Sequence, residues 1–188
     1  MNTQTRLLNL AETAMCRHGY GGFSYADIAR EAGIRKASIH HHFPAKADLG
    51  FAVLDRYADR HLTMLGDIRV TSRLGGQALA RTITLYREAL GSGDNLCLLV
   101  ALASDASALP QSMRDMLAAA TAATTACLEE LLLSGRKDMS ISVAGDPAIE
   151  AASILAVLHG AQLLARAGRD IALFDHATQP IQTRISRR

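Results

Sequence analysis

Apolar residues recur along most of the chain at intervals of three and four positions, the spacing of one buried face of an α-helix. In the segment from Thr3 to His18 the residues on that face are Leu7, Leu10, Ala11, Ala14 and Met15. The strict two-residue alternation of a half-buried strand is absent from the sequence. The pattern predicts an all-α protein.

Glycine, proline and helix-capping residues divide this pattern into nine predicted helices. Ser24, with Asp27 three positions later, forms a capping-box pair before the second helix, and the polar, glycine-bounded stretch 134–145 predicts a loop. We assign the first three helices to an N-terminal domain, residues 1–45, and the other six to a helical bundle, residues 46–188. The predicted helices are 3–18, 25–32, 35–43, 45–68, 77–90, 94–103, 110–133, 147–167 and 171–185.

Composition agrees with this prediction. Hydrophobic residues make up 49% of the chain, but aromatic residues make up only 4% and tryptophan is absent, so aliphatic residues must fill the core. Alanine and leucine, which are abundant here, favour helix. The longest uninterrupted apolar run, Leu96 to Ala103, is far shorter than the about 20 residues needed to span a bilayer. We therefore expect no association with a membrane.

The three cysteines, Cys16, Cys97 and Cys127, cannot all pair within one chain. Their scatter is typical of a reducing compartment rather than of a disulfide-stabilised secreted domain, so we expect a cytoplasmic protein. No phosphate-binding glycine loop, metal-ligand cluster or hydrolase elbow is recognisable in the sequence. We therefore predict no cofactor, no metal and no catalytic residue.

Positive charge is concentrated near the N-terminus. Up to Lys46 the chain has six basic and three acidic side chains, a net charge of +3, whereas the remainder has 14 basic and 15 acidic side chains. A basic N-terminal part favours a polyanionic partner. The alternative is a solvated surface with a chance imbalance of charge.

Residues 24–43 have the steric pattern of a helix-turn-helix. Ala29 is small enough for a following helix to approach closely, and Gly33 suits a chain reversal that needs positive φ. Ile28 and Ile39 are spaced to pack against each other. A second helix of this kind inserts into the major groove of DNA when its outward side carries hydrogen-bonding groups, and here that side carries Arg35, Lys36, Ser38 and His41.

The consecutive histidines His40, His41 and His42 fall within this second helix. Successive helical residues differ by about 100° in direction, so the three rings cannot converge on one metal ion. We expect one or two of them to contact phosphates or bases.

The stretch 32–49, with the sequence AGIRKASIHHHFPAKADL, resembles the DNA-binding domain of the TetR family of transcriptional regulators. The usual family pattern there is Ala-Gly-Val-Ser-Lys-Gly-Thr-Leu-Tyr-His-His-Phe-x-x-Lys-x-x-Leu. The resemblance covers about the first quarter of the chain. It implies a homodimer that binds near-palindromic, double-stranded operator DNA and acts as a repressor.

The resemblance also assigns roles to individual residues. Arg35, Lys36 and Ser38 match positions that face base edges or nearby phosphates, and arginine or lysine favours guanine O6 and N7. Ser24, Tyr25 and Lys46 match positions that contact phosphates. Two positions depart from the pattern, because His40 replaces the usual tyrosine and Ala37 replaces the usual glycine. The predicted DNA-binding residues are Ser24, Tyr25, Arg35, Lys36, Ala37, Ser38, His40, His41 and Lys46.

For the body of the chain, the resemblance implies an apolar pocket for an unknown small-molecule effector and dimerisation through the last two helices. Effector binding would shift the long fourth helix and release the operator, provided that the effector binds the released form better. Residues proposed to line the pocket are Tyr57, Met64, Tyr86, Cys97 and Met116, with ordinary core packing as the alternative for each. The eighth predicted helix has a broad apolar face, from which we predict the dimer-interface residues Leu155, Leu158, His159 and Gln162. The alternative is an ordinary core helix.

Cys97 suggests a second mechanism. The stretches 95–100 and 108–113 are similar to a branch of the family that senses electrophiles through a cysteine near this position, and a thiol near a helix N-terminus is activated by a lowered pKa. The alternative is a buried packing residue. Two further hypotheses remain. One is a small helical enzyme that uses Cys97 with His159 as base, although the spacing of these two residues matches no known catalytic motif. The other is a helical interaction module that has lost DNA binding.

Overall fold

The computed structural model describes residues 2–186, so the outermost residues of both predicted domains lie outside the described part. Within 2–186 the chain forms nine α-helices and no extended β-strand, which confirms the all-α prediction. The helices are α1 (Thr3–His18), α2 (Tyr25–Ala32), α3 (Lys36–His42), α4 (Lys46–Thr71), α5 (Gly75–Glu88), α6 (Leu98–Ala103), α7 (Gln111–Lys137), α8 (Pro147–Gly168) and α9 (Ala172–Gln182).

The helices form two compact units that are not consecutive in sequence. The head unit comprises the residues up to Asp59 together with Leu98–Ala120, and the body unit comprises Arg60–Cys97 and the residues from Thr121 onward. Helices α4 and α7 therefore each contribute to both units. The predicted boundary between residues 45 and 46 separates the DNA-binding helices from the remaining helices, whereas the two compact units are defined by their internal contacts. The predicted boundary therefore stays a prediction.

In the head unit, α1 packs against both α2 and α6, and α2 packs against α3. Ser24 caps α2 as predicted, since its hydroxyl accepts from the Asp27 amide while the Asp27 carboxylate accepts from the Ser24 amide. The core of the unit is aliphatic, and α6 is buried along five of its six residues. Fully buried core side chains of this unit include Leu7, Met15, Ile28, Ile39, Leu49 and Leu98.

In the body unit, α8 and α9 pack against each other and against α5. The first turn of α5 lies directly against the last turn of α7, because a Cβ on Gly75 would be 2.2 Å from the Gly135 nitrogen. The Asp138 carboxylate accepts from the Gly75 amide at 2.8 Å and holds this junction. Two helices approach this closely only where side chains are missing.

Two predicted helices differ from the structure by four residues at one end, and the others agree to within three residues. Helix α6 begins at Leu98 rather than at residue 94, and the Cys97 amide immediately before it donates to Gln162 Oε1 at 3.0 Å. Helix α7 continues to Lys137, so the predicted loop 134–145 is wrong over its first four residues. The missing Cβ of Gly135 leaves room for Ile141 beside the helix.

Helices α7 and α8 have the length and hydropathy of membrane-crossing helices, although their charged and small polar residues interrupt every long apolar run. Of their most apolar windows, 33% and 39% of the residues are buried. Core helices of water-soluble proteins have the same length and hydropathy, so these two properties are weak evidence that α7 and α8 cross a membrane.

Candidate functional site

The turn between α2 and α3 has the geometry that the sequence predicts for a helix-turn-helix. Gly33 adopts φ 65° and ψ 31°, a left-handed conformation that costs glycine little. Ile28, Ile39 and Phe43 are buried. Ile39 is the one buried residue of α3, so the other residues of this helix are free to contact a partner.

Most of the predicted DNA-binding side chains lie together on this exposed surface. We call the surface formed by Arg35, Lys36, Ala37, Ser38, His40 and His41 the recognition face. Ser24, at the start of α2, is also exposed. The chemistry of the face is basic and rich in hydrogen-bond donors, as required for phosphates and for purine acceptors.

Tyr25 is oriented inward. Its ring is 6% exposed, and its hydroxyl oxygen lies 2.9 Å from the Phe43 carbonyl oxygen and 2.6 Å from that of Ala45. Burial, followed by the nearby carboxylate of Asp48, raises the pKa of Tyr25 to about 12. This hydroxyl therefore connects α2 to the segment between α3 and α4, and its predicted phosphate contact would require it to leave these carbonyls.

His40 adopts a partly internal arrangement. Its Nδ1 lies 3.0 Å from the Pro44 carbonyl oxygen, and its ring packs edge-on against Tyr25 with 4.9 Å between centroids. If Nδ1 carries the proton and donates to that carbonyl, Nε2 of the neutral ring is an acceptor. A phosphate contact through Nε2 then requires the imidazolium form.

Lys46, at the start of α4, also points into the protein. Its ammonium donates to the Phe23 carbonyl oxygen at 2.7 Å and lies over the rings of Tyr20 and Phe23, 4.7 and 4.4 Å from their centroids. Burial lowers the pKa of Lys46, and the negative charge of Asp105 opposes that effect. The predicted phosphate contact of Lys46 stays a prediction, because this ammonium already holds the turn before α2.

The three histidines of α3 diverge, with His41 and His42 exposed beside His40. Within residues 2–186, no group of three histidine, cysteine or acidic side chains is arranged to hold a metal ion.

A second candidate site, in the body unit, is a buried polar cluster around Tyr86, which consists of His61, Tyr86, Cys97, His159 and Gln162. The Tyr86 hydroxyl lies 3.3 Å from His61 Nε2, and its ring centroid lies 5.8 Å from that of His159. Gln162 donates to the Tyr86 carbonyl oxygen at 2.6 Å and accepts from the Cys97 amide. The cluster thus connects α4, α5, α8 and the residue before α6.

Burial favours the neutral forms of His61, His159 and Tyr86 in this cluster. It lowers the pKa of His61 to about 4, with smaller contributions from His159 and Arg60, and it also lowers the pKa of His159. The pKa of Tyr86 is raised well above its usual range, first by burial and then by the nearby Cys97 and Cys127. His159 Nε2 is buried and has no hydrogen-bond partner among the described residues.

The predicted effector-pocket residues divide between the units. Tyr86 and Cys97 are buried in the body unit, where Met64 is half-buried, whereas Tyr57 and Met116 are half-buried residues of the head unit. His61 was not among the predicted residues. Its signal in the sequence is a histidine at an apolar position of α4, four residues before the buried Leu65.

The predicted dimer-interface residues point mainly into their own chain. Leu155, Leu158 and Gln162 are 4%, 0% and 0% exposed, and His159 is half-buried. The opposite side of α8 is exposed and carries large apolar side chains together with small residues. We call Ile149, Ser153, Ala156, Val157, Gly160, Leu163 and Leu164 the outer face of α8. A Cβ on Gly160 would contact nothing within 4 Å, so its own chain does not require a glycine there.

A helix-turn-helix with an exposed, basic recognition face, followed by a helical body, defines a DNA-binding transcriptional regulator. The family model described as "Bacterial regulatory proteins, tetR family" matches residues 7–53, and the model described as "Tetracyclin repressor-like, C-terminal domain" matches residues 78–181. The chain belongs to the TetR family of bacterial transcriptional regulators.

Full-length relatives agree with this assignment. The HTH-type transcriptional repressor NemR of Escherichia coli K12 is 24% identical over 193 residues, covering 98% of this chain and 94% of that protein. A TetR-family regulator from Agrobacterium tumefaciens has a crystal structure with a TM-score of 0.92 and 30% identity, covering 97% of both chains. The reduced form of E. coli NemR superposes with a TM-score of 0.87 at 22% identity, covering 99% and 98% of the two chains, and supports the fold.

The neutral histidines of the buried polar cluster predict a loss of stability in acid. The pKa of His61 is about 4 in the folded protein and about 6.5 when unfolded, so protons bind preferentially to the unfolded state between these values. Stability is therefore retained above pH 6.5 and lost as pH falls toward 4. Urea unfolding at fixed protein concentration is expected to show a loss of about 2 kcal/mol between pH 7 and pH 5.

The matched variants are His61→Gln and His42→Gln. Glutamine can still bond the Tyr86 hydroxyl but does not titrate, so H61Q is expected to lose most of this pH dependence. His42 is exposed, and H42Q is expected to behave like the wild type. An H61Q variant with an unchanged pH profile would contradict the assignment of the effect to His61.

Proposed function

We propose that this TetR-family repressor binds a near-palindromic operator as a homodimer and is released by a small-molecule effector bound in its body. The observation that carries the DNA-binding part is the recognition face, since α3 buries Ile39 alone and exposes all its basic and hydroxyl side chains. Such a helix fits the major groove without rearrangement of the core.

Within this proposal, Arg35 and Lys36 read guanine edges, and Ser38 and His41 add hydrogen bonds to bases or phosphates. Ser24 contacts a phosphate from the start of α2. Tyr25, Lys46 and His40 are already bonded to main-chain carbonyls, so their main contribution is to hold the head unit in the shape that DNA requires. Ala37 lies on the exposed face with a methyl group suited to apolar contact with thymine.

Dimerisation through α8 and α9 supplies the second recognition helix, because two half-sites one helical turn apart require two heads about 34–36 Å apart. The outer face of α8 supports this, with Ile149 and Leu164 exposed by 67% and 58%. Exposed apolar side chains of this size around a small residue are typical of a helix interface. Of the predicted residues, half-buried His159 is the one with surface left for a partner.

The effector is an organic molecule that supplies a polar atom to the buried polar cluster. His159 Nε2 is buried without a partner, and an unmade hydrogen bond of this kind costs about 1–3 kcal/mol. A ligand that bonds this nitrogen removes that cost. Tyr86, whose ring packs against His159, and Cys97 of the same cluster offer apolar contacts, and Met64 lies three residues after His61 on α4. Tyr57 and Met116 stay candidates in the head unit.

A cytoplasmic location fits the role on DNA and three cysteines that form no disulfide bond with one another. The relatives are transcriptional regulators rather than enzymes, which favours regulation over catalysis by Cys97 and His159.

Covalent sensing by Cys97 is the second candidate mechanism. The thiol is 2% exposed, and the amide of the same residue is held by Gln162 immediately before α6. A bulky adduct at this position must displace the buried polar cluster, so it would affect the body elements that the cluster connects. This is the observation that favours a sensing role over simple packing.

Replacing Arg35 and Lys36 together with alanine is expected to weaken binding to an operator selected from random DNA by at least about tenfold, since each base contact contributes about 1–3 kcal/mol. Fluorescence anisotropy at several salt concentrations measures this, and the slope against salt should fall by about 1 per lost phosphate contact. Lys137→Ala, an exposed lysine of the body unit, is the control. Equal losses in both variants would argue against specific reading by α3.

Leu164→Glu is expected to convert the dimer into a monomer, because it places a charge on the outer face of α8. Sedimentation velocity measures the change, and operator affinity should fall with it. Val70→Glu replaces another apolar residue of the body unit, 78% exposed on α4, and should remain dimeric. A dimeric L164E variant would move the interface away from α8.

Treatment with N-ethylmaleimide tests the second mechanism. If Cys97 senses electrophiles, mass spectrometry is expected to find an adduct on it, operator binding should be lost, and Cys97→Ser should keep binding. Cys16→Ser and Cys127→Ser, which change half-buried thiols, should still respond. Adducts confined to Cys16 and Cys127, with operator still bound, would leave Cys97 as a packing residue.

A further inference from the structure

The turn between α1 and α2, residues Gly19–Phe23, connects the helix-turn-helix to the rest of the head unit. Gly19 has φ 72°, in the left-handed region, and a Cβ on Gly22 would lie 2.2 Å from the His18 carbonyl oxygen. The turn ends at Ser24, the N-cap of α2. Because glycine-rich backbone has few side-chain contacts of its own, other elements must fix its conformation.

Asp105 supplies one of these attachments. It lies between α6 and the short 3-10 turn Ala106–Ala108, and its Oδ2 accepts a hydrogen bond from the Gly21 amide at 2.8 Å, across 84 residues of sequence. The same oxygen would be 3.2 Å from a Cβ on Gly19. The carboxylate thus packs directly on the turn, where only glycine allows this approach.

Lys46 supplies a second attachment from α4. Its ammonium bonds the Phe23 carbonyl oxygen at 2.7 Å and lies over the aromatic rings of the same turn. The charge of Asp105 favours the protonated form of Lys46. An anionic group from the end of α6 and a cationic group from the start of α4 therefore hold the turn together.

We infer that Asp105 is a positioning residue for operator binding, which holds the Gly19–Phe23 turn through the Gly21 amide and thereby sets the position of α2 and α3. This inference rests on the proposed operator binding. Asp105 itself need not touch DNA.

The sign of the effect distinguishes this role from simple electrostatics. Removal of a carboxylate near a DNA-binding surface should strengthen binding to a polyanion. A positioning role predicts the reverse for Asp105→Ala, about tenfold weaker binding to the selected operator, which is the effect of one lost charge-assisted hydrogen bond. Binding to a random duplex of equal length should be unchanged or tighter, because phosphate attraction is preserved.

Asp105→Asn is the conservative variant, because its amide oxygen still accepts from Gly21, and its operator affinity should stay within about threefold of wild type. Asp115→Ala is the matched control, since Asp115 is an exposed carboxylate of the head unit on α7; operator affinity should not fall. If D105A does not fold by circular dichroism, Asp105→Glu replaces it and should also lose operator selectivity, because its carboxylate is displaced by one methylene.

Operator binding by D105A at wild-type affinity or tighter would overturn the inference, and so would a D105N variant as weak as D105A. Equal losses on operator and random duplex would also overturn it, because they indicate a reduced folded fraction. A wild-type protein that selects no sequence from random DNA would instead contradict the operator-binding proposal on which the inference rests.

Discussion

The recognition face depends on the burial of Ile39. A seven-residue helix is too short to be stable by itself in water, so α3 is helical because Ile39 is fully buried and because Gly33 reverses the chain in a left-handed conformation. Because α3 buries only this one side chain, its other side chains remain exposed and can contact DNA. The same constraint explains why Tyr25 and Lys46 face inward, since the backbone that carries α3 needs bonds from its neighbours to stay in place.

Local interactions made much of the fold predictable from the sequence. The bounds of α1 and α2 match the predicted ones, because the Ser24–Asp27 capping box and the glycines after His18 act within a few residues. The conformation of Gly33 and the burial of Ile28 and Ile39 follow from steric pattern alone. These are the features that carry the family resemblance, and the family assignment confirms it.

Long-range contacts account for what the sequence did not reveal. The Cys97 amide, just before α6, bonds to Gln162, which is 65 residues away in sequence, and the last turn of α7 is contacted by Gly75 and Ile141 at Gly135. Helix α8 carries apolar residues both on the side that packs in its own chain and on the exposed side. The spacing of its apolar residues therefore predicts an apolar helix but does not show which side faces the core. Asp105 and His61 have no local signature, because each acts through residues distant in the chain.

The interleaved order of the two units has a consequence for synthesis. The α1 helix packs on α6, which lies about 80 residues further along the chain. A nascent chain that has emerged only as far as Asp59 contains the whole helix-turn-helix but lacks the surface that covers α1. The head unit therefore completes its core only after Ala120 has left the ribosome, and the first part of the body, residues 60–97, is made before that core is complete.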